Sequence, residues 1–158
     1  MFVNNIQLTN FRNITKLNLD FKNPINILYG HNGQGKSNIV ESIYLLANTN
    51  SFRTSYYKQM INNDADEAII QGNIETLKRK DSYKLLLTKN GKQAYINDIL
   101  ITKFSDYIGK ANVVCFAPED VSLFKDVPSE RRHFLDKELS SFFPIYVRQL
   151  IYFKKVLE

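Results

Sequence analysis

The sequence predicts an α/β fold, and three neighbouring observations predict it. Ile25-Asn26-Ile27-Leu28-Tyr29 is a short, mostly apolar run that ends on Gly30, as a buried strand does. Gly30-His31-Asn32-Gly33-Gln34-Gly35-Lys36-Ser37 then fits G-x-x-x-x-G-K-[ST], the phosphate-binding P-loop. From Ser37 the period changes: Ile39, Ile43, Leu46 and Ala47, with Val40 and Tyr44 beside them, give one broad apolar helical face. Strand, glycine-rich loop and helix in that order make a P-loop NTPase.

The other elements follow from spacing and punctuation. Phe2–Phe11 alternates loosely through Val3, Ile6 and Leu8 and reads as a strand, and Ile14–Phe21 reads as a second. Lys22-Asn23-Pro24 turns the chain into the 25–29 run, and Thr49–Lys58 is polar and irregular, hence a loop. Strands are predicted at Glu67–Leu77 and Ser82–Thr88, with Asn90-Gly91 as a hairpin turn into Lys92–Ile96 and a further turn at Asn97-Asp98. A short helix is expected over Lys103–Ile108, capped by Gly109. Asn112–Phe116 reads as an apolar strand broken by Pro118, with Cys115 an inert buried thiol inside it. Pro128 opens a helix with Asp126 just upstream and Glu130 in its first turn; Phe134, Leu135, Leu139 and Phe142 carry it to Pro144. A last helix, spaced by Tyr146, Leu150, Phe153 and Leu157, is still running at Glu158.

Composition sets outer bounds. With 158 residues, 44% hydrophobic and 23% charged, the chain has globular usage and enough length for a core. One Cys excludes a disulfide framework and a Cys-based zinc site, and two His leave little for a histidine metal centre. No run approaches a membrane span and the N-terminus lacks a signal-peptide layout, so a cytoplasmic protein without membrane attachment is expected. The net charge of +5 permits a polyanionic partner without identifying one. The basic residues are scattered, and the tight group Lys78-Arg79-Lys80 reads as a solvated turn.

The P-loop carries the chemistry. Gly30, Gly33 and Gly35 let the backbone turn tightly and approach phosphates with no Cβ in the way. Successive N–H groups form an anion nest, to which the following helix adds its N-terminal dipole. Lys36 reaches the β and γ phosphates, and the Ser37 hydroxyl is the expected Mg²⁺ ligand. A random chain this long matches the pattern in about one case in a hundred. The ligand set expected is therefore Gly30, His31, Asn32, Gly33, Gln34, Gly35, Lys36 and Ser37 for ATP, with Ser37 on Mg²⁺. No guanine-selecting N-K-x-D occurs, and no four apolar residues are followed by Asp: Val113-Val114-Cys115-Phe116 continues into Ala117-Pro118-Glu119. The second Mg²⁺ anchor and the water-activating carboxylate of P-loop enzymes are missing, so no catalytic residue is assigned and enzymatic activity stays open.

Three further segments supply a resemblance. Leu8-Thr9-Asn10-Phe11-Arg12-Asn13, followed after a short interval by the P-loop, resembles the opening of the SMC/Rad50-type heads of the ABC ATPase superfamily. Asn38-Ile39-Val40-Glu41-Ser42-Ile43-Tyr44-Leu45-Leu46-Ala47 with Ser51-Phe52-Arg53-Thr54 narrows it to the RecF family. So does Phe116-Ala117-Pro118-Glu119-Asp120 followed by Pro128-Ser129-Glu130-Arg131-Arg132-His133-Phe134-Leu135-Asp136. The resemblance implies an ABC-ATPase head: lobe I, a mixed sheet with the P-loop helix, over 1–116, and the start of a helical lobe II over 117–158. It implies that Arg12 and Asn13 touch the nucleotide and that Arg53 lies near it. Glu119 falls near the Q-loop position, and Arg131 and Arg132 are either functional or surface salt-bridge partners.

The family's signature motif, Walker B and catalytic Glu belong to a C-terminal half absent from these residues. Members are implied to bind DNA, single-stranded or at gaps in duplex, as ATP-dependent homodimers. They help load the recombinase in replication, repair and the SOS response to DNA damage, and work with RecR and RecO. The chain alone is then expected to bind ATP weakly, to show no appreciable steady-state ATPase, and to leave one sheet edge and one face of the Ser37–Ala47 helix uncovered. Three alternatives stand beside this reading. They are a head of another SMC/Rad50-type chromosome ATPase, a nucleotide-binding remnant without hydrolysis, and a small P-loop kinase, for which no acid and lid arginine pair is found.

Overall fold

The computed structural model describes residues 1–76, 79–116 and 128–157. Its strands are β1 (Phe2–Phe11), β2 (Ile14–Asp20), β3 (Glu67–Glu75), β4 (Lys80–Thr88), β5 (Gly91–Ile96) and β6 (Ile99–Ile101). They form one six-stranded sheet in the order β2-β1-β3-β4-β5-β6, and every pairing is antiparallel. The P-loop helix α1 (Lys36–Asn48) packs on one face of it. Two further helices, α2 (Pro128–Phe142) and α3 (Pro144–Leu157), form a hairpin. No helix among the described residues is long and apolar enough to cross a membrane.

Strand alternation builds the core. Ala68, Ile70 and Ile74 of β3 and Tyr83, Leu85 and Leu87 of β4 are buried and share one face. They meet Ile6 and Leu8 of β1 and Leu45 and Leu46 of α1. Helix and sheet come close at Gly72: a Cβ there would lie 2.5 Å from the Asn5 carbonyl oxygen and 3.2 Å from Leu46 Cδ2. The β1–β3 register shifts beside that point, between Val3 and Asn5. The far end of α1 is held by Tyr107, whose hydroxyl donates to the Leu46 carbonyl at 2.6 Å. Lys92 of β5 donates to the carbonyl of Thr49, the residue that caps α1 in the left-handed region, and to Asn50 Oδ1 at 2.6 Å. The Lys92 ammonium also lies 4.8 Å from the ring centre of Phe104.

Several expectations are corrected. Ile25–Tyr29 is not a strand: no strand among the described residues pairs with it, and Ile25, Ile27 and Tyr29 are 80%, 80% and 91% exposed. An apolar run signals a wish for burial, but burial needs a partner, and the six paired strands provide none beside it. Asn112–Phe116 likewise has no regular structure; Cys115 is half-buried rather than enclosed, and Val114 and Phe116 are exposed. The short helix is one 3₁₀ turn, Phe104–Asp106, with Gly109 at positive φ after it. Strand β6 was not predicted; Asn97 and Asp98, both at positive φ, make the tight turn that adds it to β5. Most of α1 is covered, and Val40 is its exposed apolar residue. The positions Lys78, Pro118, Glu119 and Asp126 lie outside the described residues.

Candidate functional site

The site is built where the β1–β2 turn meets the loop entering α1. Gly33 and Gly35 have φ of +81° and +89°, a left-handed backbone that favours glycine. Gly35 is also the residue preceding the first turn of α1, and no side chain caps that end. A Cβ on Gly35 would sit 3.1 Å from Asn13 Oδ1 and 3.3 Å from Ile14 Cγ1, so the loop packs tightly on the turn before it. The first turn of α1 carries no acidic residue. Its N–H groups, the helix dipole and Lys36 therefore present one sign of charge to the loop's concave side.

Lys36 folds over the loop, its ammonium donating to the carbonyl oxygens of Gly30 at 2.9 Å and His31 at 2.7 Å. His31, Asn32, Gly33, Gln34 and Ser37 are exposed. This set fits a nucleoside triphosphate with its cation: the Lys36 and Ser37 amides at a helix end that no side chain caps, a mobile ammonium and an accessible hydroxyl at Ser37. Among the described residues no group of three or more His, Cys, Asp and Glu could hold a metal ion by itself. A cation here would depend on Ser37 and on the phosphates that it accompanies.

Asn13 and Arg12 are placed differently. Asn13 Nδ2 donates to the Gly33 carbonyl at 2.8 Å, and its Oδ1 accepts from Asn38 Nδ2 at 2.7 Å. Asn13 thus braces the loop directly. Arg12, at φ +55°, turns inward to Glu41 of α1, with Nη2–Oε1 at 2.6 Å and Nε–Oε2 at 3.1 Å. Its Nη1 donates to the Gln59 carbonyl at 2.6 Å. The segment after it is stitched to the same turn, since Arg12 N–H donates to the Met60 carbonyl and Asn62 Nδ2 to the Arg12 carbonyl.

Glu41 is fully buried and takes two more donors: Ser51 Oγ at 2.5 Å and Arg53 Nη1 at 3.2 Å. Arg53 shares that nitrogen with Asn38 Oδ1 at 2.8 Å, which puts it beside the first turn of α1. Arg131 and Arg132 are exposed on α2, and Glu119 lies outside the described residues. Sequence reasoning assigned no role to Glu41, Asn38 or Ser51. The signal was present for Glu41: a lone carboxylate between Ile39 and Leu45 on the buried side of a helix demands a cation.

Residues 2–108 match the model of the RecF/RecN/SMC N terminal domain family. The chain is 44% identical over 157 residues to the DNA replication and repair protein RecF of Bacillus cytotoxicus, covering 99% of this chain and 42% of that one. The RecF of Bacillus thuringiensis gives the same identity and coverage. The chain thus spans about 42% of the length of these curated relatives. Among solved structures, the recombination mediator protein RecF-ATP of the RecFOR pathway superposes with a TM-score of 0.92 at 31% identity, over 98% of this chain and 43% of that one. The SMC head domain from Thermotoga maritima shares the fold, with a TM-score of 0.55 at 20% identity over 67% of this chain and 40% of that one.

Proposed function

Since the chain belongs to the RecF/RecN/SMC N-terminal domain family, we propose that it binds ATP with Mg²⁺ in a RecF-type DNA replication and repair protein. The observation that carries the reading is the uncapped N-terminus of α1 behind the Gly30–Ser37 loop, with Lys36 folded over it. Gly33, Gly35 and the first amides of α1 hold phosphate oxygens, and Lys36 leaves the Gly30 and His31 carbonyls for the phosphate chain. Asn32 and Gln34 complete the cradle, and Ser37 offers its hydroxyl to the cation. Mg²⁺, when bound, neutralises part of the phosphate charge. Asn13 keeps the loop in place, and Arg12 anchors the turn that bears Asn13.

Residues 1–116 act as the ATP-binding lobe and 117–158 as the start of a helical lobe. DNA, single-stranded or at gaps in duplex, is the macromolecular partner, held through phosphate contacts that weaken with salt. RecR, RecO and an ATP-dependent second copy are the protein partners. ATP favours the closed pair only through contacts that it makes there and not elsewhere. Recombinase loading and the SOS response follow from that cycle. One of the similar solved structures is RecF-ATP, which supports the nucleotide.

The test is fluorescence anisotropy of a labelled gapped duplex, with and without ATP and Mg²⁺, at two salt concentrations. The reading expects binding that ATP strengthens and salt weakens. Binding indifferent to ATP overturns the coupling of nucleotide to DNA.

A further inference from the structure

We infer that Arg53 is a positioning residue of the phosphate loop, anchored on Glu41 and acting through Asn38 and Asn13 on the Gly33 carbonyl. The inference rests on the nucleotide reading above. Glu41 needs a cation because it is fully buried, and Arg12 alone meets that need through two hydrogen bonds. Arg53 is a second guanidinium on the same carboxylate, with its side chain 46% exposed and coming from the 49–59 loop.

Polarity gives this second arginine a use. Its Nη1 donates to Asn38 Oδ1 at 2.8 Å, and a guanidinium can only donate. The amide of Asn38 must therefore turn its oxygen to Arg53 and its nitrogen away, where it donates to Asn13 Oδ1 at 2.7 Å. Asn13 is then left with its nitrogen toward the Gly33 carbonyl, at 2.8 Å. At the other end the Gly33 carbonyl can only accept. Donor at one end and acceptor at the other admit a single orientation of both amides. The relay holds the Gly33 carbonyl on Asn13, so the oxygen is kept from turning into a space that must receive negative charge. Without Arg53 the Gly33 carbonyl alone sets the direction of both amides, so a flip of the Asn38 amide no longer forfeits a hydrogen bond to a guanidinium and the carbonyl is held less firmly.

Arg53 and Asn13 have no hydrogen bond to one another among the described residues, and the side chain of Asn38 bridges them, so a double-mutant cycle reads the relay. ATP and ADP affinities are measured for the protein, Arg53→Met, Asn13→Ala and the double variant. Amide resonances of Gly33 and Gly35 are recorded without nucleotide, with Arg148→Met on α3 as control. Each single change is expected to weaken both nucleotides about 5-fold, the worth of about one hydrogen bond, and the double change no more than about 5-fold. Arg53→Met should also move the Gly33 and Gly35 resonances, where Arg148→Met does not. A double loss of about 25-fold, or an Arg53→Met protein with unchanged affinity and unchanged Gly33 resonance, overturns the relay. If the parent protein binds no nucleotide, the nucleotide reading fails, and the resonances alone then decide whether Arg53 governs the loop.

Discussion

Arg12 and Glu41 form a two-point ion pair at 2.6 and 3.1 Å across 29 residues of sequence, with the carboxylate fully shielded from water. The pair ties the β1–β2 turn to α1, and Asn13, next in that turn, holds the Gly30–Ser37 loop. Removing one partner of a buried pair costs about 3–5 kcal/mol, chiefly because the other charge is left uncompensated. Arg53 and Ser51 remain on Glu41, so Arg12→Ala is expected to cost about 3 kcal/mol, at the lower end. Arg12→Lys should restore only part of it, because an ammonium cannot reproduce the fork. Urea unfolding checks both.

Gly72 separates β3 from β1 and α1 by the width of a missing methyl. Alanine there would place Cβ 2.5 Å from a backbone oxygen that cannot move without its strand. Gly72→Ala is expected to cost about 1–3 kcal/mol, as overpacked cores do. A change within about 0.5 kcal/mol by chemical denaturation would show that β1 can shift at its bulge.

Lys92 links stability to pH. Burial lowers its pKa from 10.5 to about 8. The groups around its ammonium, the Thr49 carbonyl and hydroxyl, Asn50 Oδ1 and the Tyr57 and Phe104 rings, carry no formal negative charge. Between pH 8 and 10.5 the unfolded chain holds a proton here that the folded chain has released. Stability contributed by this group therefore rises with pH across that window. Lys92→Met lacks the titration, so the parent should gain in melting temperature relative to it from pH 7 to pH 9.5. A constant difference would contradict the burial of the charge.

Much of this was legible in the sequence. The motif located Gly30–Ser37, and the period change located α1 to within a residue or two. Pro128 marked the first residue of α2, and Pro144 marked the break between α2 and α3. The failures share a cause. Ile25–Tyr29 shows apolar character without showing which strand pairs with it. β6 is three residues long, too short for alternation to register. The Glu41 cluster joins residues from the β1–β2 turn, α1 and the 49–59 loop, and helical periodicity counts apolar positions while passing over a charged one among them. Asn13 was expected at the nucleotide site, and it lies against the loop; Arg12 stands one contact further back, on Glu41.

Gly35→Ala separates loop geometry from global stability. A left-handed backbone costs a non-glycine residue about 1–2 kcal/mol, and the new Cβ meets Asn13 Oδ1 at 3.1 Å. The expected outcome is a small loss of melting temperature with a loss of ATP affinity greater than tenfold. Equal affinity would mean that the loop reaches its phosphate-binding shape without Gly35.

The most direct measurement is an ATP titration of the protein beside Lys36→Ala, with melting temperatures taken without nucleotide. Among the described residues the Lys36 ammonium hydrogen-bonds to two loop carbonyls, so its loss should leave the melting temperature within a few degrees. A hydrogen bond to a charged group is worth about 1.5–3 kcal/mol, so ATP affinity should fall about 10- to 100-fold. A parent that binds no ATP, or a Lys36→Ala protein that binds it equally well, would contradict the assignment of the Gly30–Ser37 loop as a phosphate site.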